Sequence, residues 1–421
     1  MGLFGGTKVV LPAEPILGIL VLSIFFSKRT LATLNSIPLN ALTMGITLFL
    51  LSLWVSSTQS SMLEVSLKFS LVNTCYMILG VWLAYSLQEN KQWSLGHFLR
   101  LSAIPLAGIS FYAIVNFIPY RFSPGAAMIV ARPFFKDHTI LASVWALFIP
   151  LYLLYPKWCG QTKNSFVNKV WPYALSMLLL FVVLVSSSRA AWLSLLVSLS
   201  LASFIYFGGK LKTLVLILGV CASIAYANKK PLENWLYAST ATYSSVESNT
   251  SLENQLRSAG NIQSDVSNLE RLNRWNCAIR MFNEKPFFGY GPGTYQFQYI
   301  PWQNTNEMTY ISVTSPFVTK NGRGGSAHSE YLLALSENGF TGILAWFAIV
   351  GGAFHLLFKQ IRTFSSKDRY ISLALLLSLT TYFVHALFNN FLNTPSLGIC
   401  FWLLIGFTLF QTSKIARNER A

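Results

Sequence analysis

From Val170 to Gly208 the chain is apolar, with one interruption at Ser186-Ser187-Ser188-Arg189. A bilayer crossing needs roughly 20 apolar residues, so this stretch is too long for one span. A helix apolar on every side is suited to burial or to lipid rather than to water. Two spans with a tight reversal at the serines satisfy both conditions. The pattern recurs along the chain, with runs near 12–27, 37–57, 66–87, 97–118, 138–155, 170–187, 190–208, 211–228, 339–358, 370–390 and 394–412, eleven in all. Composition agrees: 53% of the 421 residues are hydrophobic and 11% are charged, against about 25% charged in a soluble protein. The expected fold class is an all-α polytopic integral membrane protein with about 11–12 transmembrane helices and one large loop containing short helices.

The net charge of +16 comes without a basic block or a nucleic-acid-binding signature, so no nucleic-acid partner is expected. The cations follow the loops instead. One set of short loops and flanks holds 16 Lys and Arg, the opposite set 6 (Lys8, Lys68, Arg121, Arg132, Lys136 and Arg189). The richer side is expected to be cytoplasmic, with the C-terminus inside and, for eleven spans, the N-terminus outside. Lys28-Arg29 follow the first apolar run without a small-residue cleavage site, so no cleavable signal peptide is expected. Five cysteines, an odd number spread along the chain and four of them in or beside apolar runs, predict no structural disulfide.

The domain organisation is then about eight helices in residues 1–228, a large external loop in 229–338, and about three helices in 339–421. Within the loop, Ser239 to Ser264 reads as irregular. A helix is expected to open on a capping box, Ser267-Asn268-Leu269-Glu270, and to stop before Pro286. Gly289-Tyr290-Gly291-Pro292-Gly293 reads as a turn. A second helix is expected from Ser326-Ala327-His328 to Glu337-Asn338-Gly339.

Few residues in these segments carry chemistry. Arg189 interrupts the longest apolar run, and an intramembrane arginine is either partnered and functional or snorkels at a helix end. Arg271 and Arg274 lie one turn apart, forming either a two-guanidinium surface for a diphosphate or a solvated face. Arg121, Arg132 and Lys136 of loop 119–137 are candidates for the same basic pocket. Of five histidines, His355 and His385 sit in apolar runs and read as core residues. His328 sits near neutrality as a candidate general base, or is merely a helix-start residue. The external loop shows no metal-ligand spacing, so neither a metal nor another cofactor is expected. Its many aromatics, among them Trp275, Tyr290 and Tyr295, fit an interfacial belt or sugar stacking equally.

Three short motifs in order resemble the O-antigen ligase family: Ser187-Ser188-Arg189-Ala190-Ala191-Trp192; Glu270-Arg271 and Arg274-Trp275 with Lys285-Pro286-Phe287-Phe288-Gly289-Tyr290-Gly291-Pro292-Gly293-Thr294-Tyr295; and Ala327-His328-Ser329-Glu330-Tyr331 with Glu337-Asn338-Gly339 and Gly342. That family groups lipopolysaccharide O-antigen ligases, O-antigen polymerases and protein O-oligosaccharyltransferases. The resemblance implies a metal-independent membrane glycosyltransferase of GT-C type in the bacterial inner membrane, its active site facing the periplasm. It implies a glycan donor on undecaprenyl diphosphate, with Arg189 and Arg271 on the diphosphate, Arg274 as an additional basic residue and His328 as the base. The family usually has twelve spans, against eleven counted here. The expected reaction transfers a preassembled glycan to lipid A-core with inversion. The alternatives are polymerisation on another lipid-linked chain, transfer to protein, or, in a different class, a lipid-linked glycan transporter. The one-sided distribution of charge and loop argues against the last.

Overall fold

The computed structural model describes residues 13–25, 37–89, 94–159, 166–227, 266–304, 308, 325–364 and 366–418. The irregular reading of Ser239 to Ser264 lies outside them. Among the described residues, a helix falls on each of the eleven apolar runs: α1 (Ala13–Phe25), α2 (Ala41–Thr58), α3 (Leu63–Glu89), α4 (Leu95–Phe117), α5 (His138–Leu154), α6 (Phe166–Val185), α7 (Arg189–Tyr206), α8 (Leu211–Ala227), α10 (Glu330–Thr363), α11 (Ser366–His385) and α12 (Pro395–Asn418). Among the described residues, seven helices are long and apolar enough to cross a membrane by length and composition, and the chain is an all-α polytopic membrane protein. The remaining long helix, α9 (Val266–Glu284), is polar and lies between α8 and α10.

Close packing of the spans depends on small residues and interhelical hydrogen bonds, because lipid offers no hydrophobic drive between helices. Gly45 of α2 and Gly352 of α10 each face the other helix's backbone, so a side chain at either position would force the pair apart. Gly80 of α3 and Gly406 of α12 do the same for the second tight pair. Ser198 Oγ of α7 donates to the Leu377 carbonyl of α11 at 2.9 Å, and Ser378 Oγ of α11 donates to the Leu147 carbonyl of α5. These bonds hold α5, α7 and α11 together at mid-height. α5 is the most enclosed of the three, with every residue from Ile140 to Tyr152 buried.

Several connections converge on one end of the bundle. The α6–α7 reversal spans only Ser186 to Ser188, with Ser187 in the left-handed region at φ 58°. Val185 there packs on Phe117 at the end of α4 and on Ala126, Ala127 and Val130 of the α4–α5 connection. Gln298 Nε2 reaches Ser61 Oγ in the α2–α3 turn at 3.0 Å, and Glu330 N donates to the Ala386 carbonyl at the end of α11 at 2.9 Å. The end of the bundle that carries Arg189 therefore also carries loop 118–137, α9 and the start of α10.

Three details differ from the sequence expectation. α9 begins at or before Val266, so Ser267 lies inside the helix, and Glu270 turns to Arg274 rather than capping an end. The second loop helix starts at Glu330, after the expected Ser326-Ala327-His328. Ser329 is its N-cap, with Oγ accepting from Leu332 N at 3.4 Å, and His328 precedes the cap. This helix and the next span meet at a kink at Gly339, where φ is 66°. His355 is exposed on α10 instead of packed in the core, whereas His385 is buried as expected.

Candidate functional site

His328 occupies the left-handed region at φ 51°, a conformation that costs a non-glycine residue energy and needs support from its surroundings. The support comes from α9. Trp275 Nε1 donates to the His328 carbonyl at 3.3 Å, and Arg274 Nη1 donates to the Ser326 carbonyl at 3.4 Å. Gly325 passes directly against the Arg274 guanidinium, so closely that a side chain there would collide with it. Residues fifty positions apart in sequence are thereby locked into one unit.

Arg274 is itself fixed. Its Nε and Nη2 donate to Glu270 Oε1 at 2.8 and 2.7 Å, one turn back on α9, and both side chains are buried. The guanidinium also lies over the Tyr299 ring at 4.8 Å, and Tyr295 Oη donates to the Arg274 carbonyl at 2.7 Å while its ring stacks on Tyr299. A buried, hydrogen-bonded ion pair of this kind holds geometry, and removing either partner strands the other. Arg274 is therefore committed to the His328 loop. Arg271, one turn earlier, is half-buried, and its charge acts on both His328 and His385.

Burial holds the His328 imidazole well below its ordinary value, at about 3, and the positive charges of Arg274 and Arg271 push in the same direction. Asp137 opposes them weakly. That places the start of α5 beside this loop. Burial alone would raise the Asp137 carboxyl, but His138 at 3.0 Å and the Thr139 amide at 2.8 Å hold it below the usual carboxylate range. The imidazole is thus neutral near pH 7, with a ring nitrogen open to accept a proton.

The glycine-rich segment has a structural role that its sequence did not reveal. Tyr290 N and Gly291 N donate to the carbonyls of Ser336 and Glu337 at 3.0 and 2.8 Å. Glu337 then returns its carboxylate to the same segment, Oε2 accepting from Gly293 N at 2.8 Å and Oε1 from Tyr295 N at 2.9 Å. Gly289 and Gly339, both at positive φ, lie where a Cβ would strike the other segment's backbone. The Gly289–Gly293 turn and the Glu337-Asn338-Gly339 break form one clasp, which joins the end of α9 to the middle of α10.

Of the five site residues expected from sequence, the structure joins His328, Arg271 and Arg274 through α9. Arg189 opens α7 at the same end of the bundle, next to Ser188, whose buried hydroxyl has no hydrogen-bond partner. Arg132 also lies at this end, but its side chain is exposed while its carbonyl accepts from Tyr112 Oη at 2.9 Å. Sequence reasoning missed Trp275, Glu270 and Glu337 as supports. Only the i,i+4 spacing of Glu270 and Arg274 carried a signal. Among the described residues no three His, Cys, Asp or Glu side chains cluster as a metal site.

Residues 174–347 match the profile of a protein family described as O-Antigen ligase. The matched span includes Arg189, Arg271, Arg274 and His328 and leaves out Arg132. No curated protein matches the chain.

Proposed function

We propose that this chain, which carries the O-antigen ligase family domain at residues 174–347 and is a multi-pass membrane glycosyltransferase of ligase or polymerase type, transfers a preassembled glycan from undecaprenyl diphosphate to an acceptor hydroxyl at the periplasmic face of the inner membrane. The favoured acceptor is lipid A-core. The observation that carries the reading is the convergence of a neutral, strained His328 with Arg271 of α9 at the end of the bundle where α7 presents Arg189.

In this reading the acceptor oxygen attacks the anomeric carbon as the bond to the diphosphate oxygen breaks. The diphosphate leaves with the bonding electrons, and the acceptor proton passes to His328. Attack opposite the leaving group inverts configuration. Arg271 and Arg189 face the diphosphate and stabilise its growing charge, while Arg274 positions the His328 loop. Burial, reinforced by Arg274 and Arg271, keeps His328 unprotonated and also makes it a weak base. A bound diphosphate offsets their charge and raises its basicity, so that base strength and donor occupancy rise together. The arginines supply the counter-charge that a metal supplies elsewhere, which makes transfer metal-independent.

Reconstitution of the purified protein with an undecaprenyl-diphosphate glycan and lipid A-core tests the reading. Formation of glycosylated lipid A-core supports ligation, whereas lengthening of the lipid-linked chain alone supports polymerisation. Movement of the donor across the bilayer without any new glycosidic bond would overturn both.

A further inference from the structure

Loop 119–137 carries Arg121, Arg132 and Lys136, half of the 6 cations assigned to short segments on that side of the membrane. Such segments are ordinarily poor in Lys and Arg, so three in one loop call for a reason. Among the described residues, no carboxylate forms an ion pair with any of the three. The loop's one acid, Asp137, caps α5 through the Thr139 amide at 2.8 Å and hydroxyl at 2.9 Å and pairs with His138 at 3.0 Å. All three cationic side chains are exposed.

The loop that presents them is pinned from behind. Phe122 stacks on Phe117, Phe134 packs edge-on against Tyr112, and Phe135 does so against Trp145, at centroid distances of 5.7, 5.3 and 5.4 Å. Asn116 Nδ2 and Tyr112 Oη hold the carbonyls of Val130 and Arg132 at 3.5 and 2.9 Å. A fixed backbone carrying solvated cations is suited to hydrated anions, which need attraction and little desolvation. Val185, just before the reversal that carries Arg189, packs on Ala126, Ala127 and Val130 of this loop, and the charge of Asp137 at the loop's end acts on His328, so the loop borders the end of the bundle where an acceptor hydroxyl must arrive.

We propose that Arg121, Arg132 and Lys136 form an acceptor-binding surface that recognises phosphate groups on the acceptor glycolipid. The inference rests on the transfer reaction proposed for this site and adds the second substrate's charge. It also reassigns Arg132 from the donor diphosphate to the acceptor.

The test uses the full-length protein in phosphatidylcholine nanodiscs, with lipid A-core as acceptor in its phosphorylated form and after phosphatase treatment. The triple variant Arg121→Gln, Arg132→Gln, Lys136→Gln is expected to raise the KM for phosphorylated acceptor about tenfold at low salt, with the difference shrinking at high salt and the donor KM unchanged. Wild type should show a similar rise on the dephosphorylated acceptor, and the variant should no longer discriminate between the two forms. Retained discrimination by the variant, or an equal loss on both acceptors, overturns the proposal. A difference between wild type and variant that emerges only in phosphatidylglycerol nanodiscs also overturns it, assigning the patch to lipid headgroups. If wild type transfers nothing, the reaction reading fails. Direct binding of phosphorylated and dephosphorylated lipid A-core to wild type and variant then still decides the charge recognition.

Discussion

Trp275 Nε1 donates a hydrogen bond to the backbone carbonyl of His328 at 3.3 Å. This contact ties the helix that carries Arg271 and Arg274 to the loop that carries the proposed base. It acts on the backbone, so it fixes where the imidazole sits without touching its ring. Trp275→Phe keeps the ring's contact with Phe388 but removes the N–H. The expected result is a lower kcat with nearly unchanged donor Kd, checked by transfer kinetics alongside donor binding.

Arg274 and Glu270 act as one unit, each buried by virtue of the other. Arg274→Ala and Glu270→Ala are expected to impair transfer to a similar degree, and the double variant to be little worse than either single one. Arg274→Lys should not rescue, because an ammonium cannot reproduce the guanidinium fork toward Glu270 and Ser326. Additive losses would show that Arg274 contributes independently of its pairing.

Much of this fold was legible because a bilayer admits few solutions. Backbone groups in lipid must pair within a helix, and every apolar run became one, down to the reversal at Ser186–Ser188. The site was only partly legible. The candidates Arg271, Arg274 and His328 stood out by charge and placement, but their division of labour depends on contacts between distant positions. Nothing in the local sequence says that Glu337 holds the amides of Gly293 and Tyr295, or that Gly325 passes against Arg274. Even the local Ser267-Asn268-Leu269-Glu270 pattern misled, because Glu270 satisfied a buried guanidinium in preference to a helix end.

The clasp around Glu337 should contribute to stability. Glu337→Ala leaves two buried amides without acceptors, and a stranded buried donor costs about 1–3 kcal/mol. The variant should unfold at a clearly lower temperature in detergent, and Glu337→Gln, which keeps one acceptor oxygen, should lose less. Equal unfolding temperatures for wild type and both variants would remove the clasp from the stability account.

The depressed His328 value sets a pH dependence with a definite sign. Unfolded, the imidazole protonates near 6.5; folded, it resists until about 3. Between these values the unfolded chain binds the extra proton, so stability falls as pH drops from about 6.5 towards 3 and is unaffected by this group above that window. Wild type should lose more thermal stability between pH 7 and pH 5 than His328→Gln. A parallel loss in both would show that His328 is not held neutral by its surroundings.

Orientation is open to a direct check. With 16 cations in the short loops of one side and 6 on the other, α9 is expected on the periplasmic side. Asn283 is exposed on that helix. Asn283→Cys, in a background without native cysteines, should react with a membrane-impermeant thiol reagent in intact spheroplasts, and labelling only after lysis would reverse the topology.

The most direct test separates donor binding from proton transfer in purified, reconstituted protein, with both measured in excess EDTA. Arg271→Ala and Arg189→Ala should each weaken donor binding by roughly ten- to a hundredfold, the cost of a charge-assisted hydrogen bond, with transfer falling in step. His328→Ala should bind the lipid-diphosphate donor as wild type does while turnover drops by about 10²–10⁴-fold. Wild-type turnover should persist in the chelator. Transfer by His328→Ala at a rate comparable to wild type, or wild-type activity that disappears in EDTA and returns with magnesium or manganese, would contradict the account.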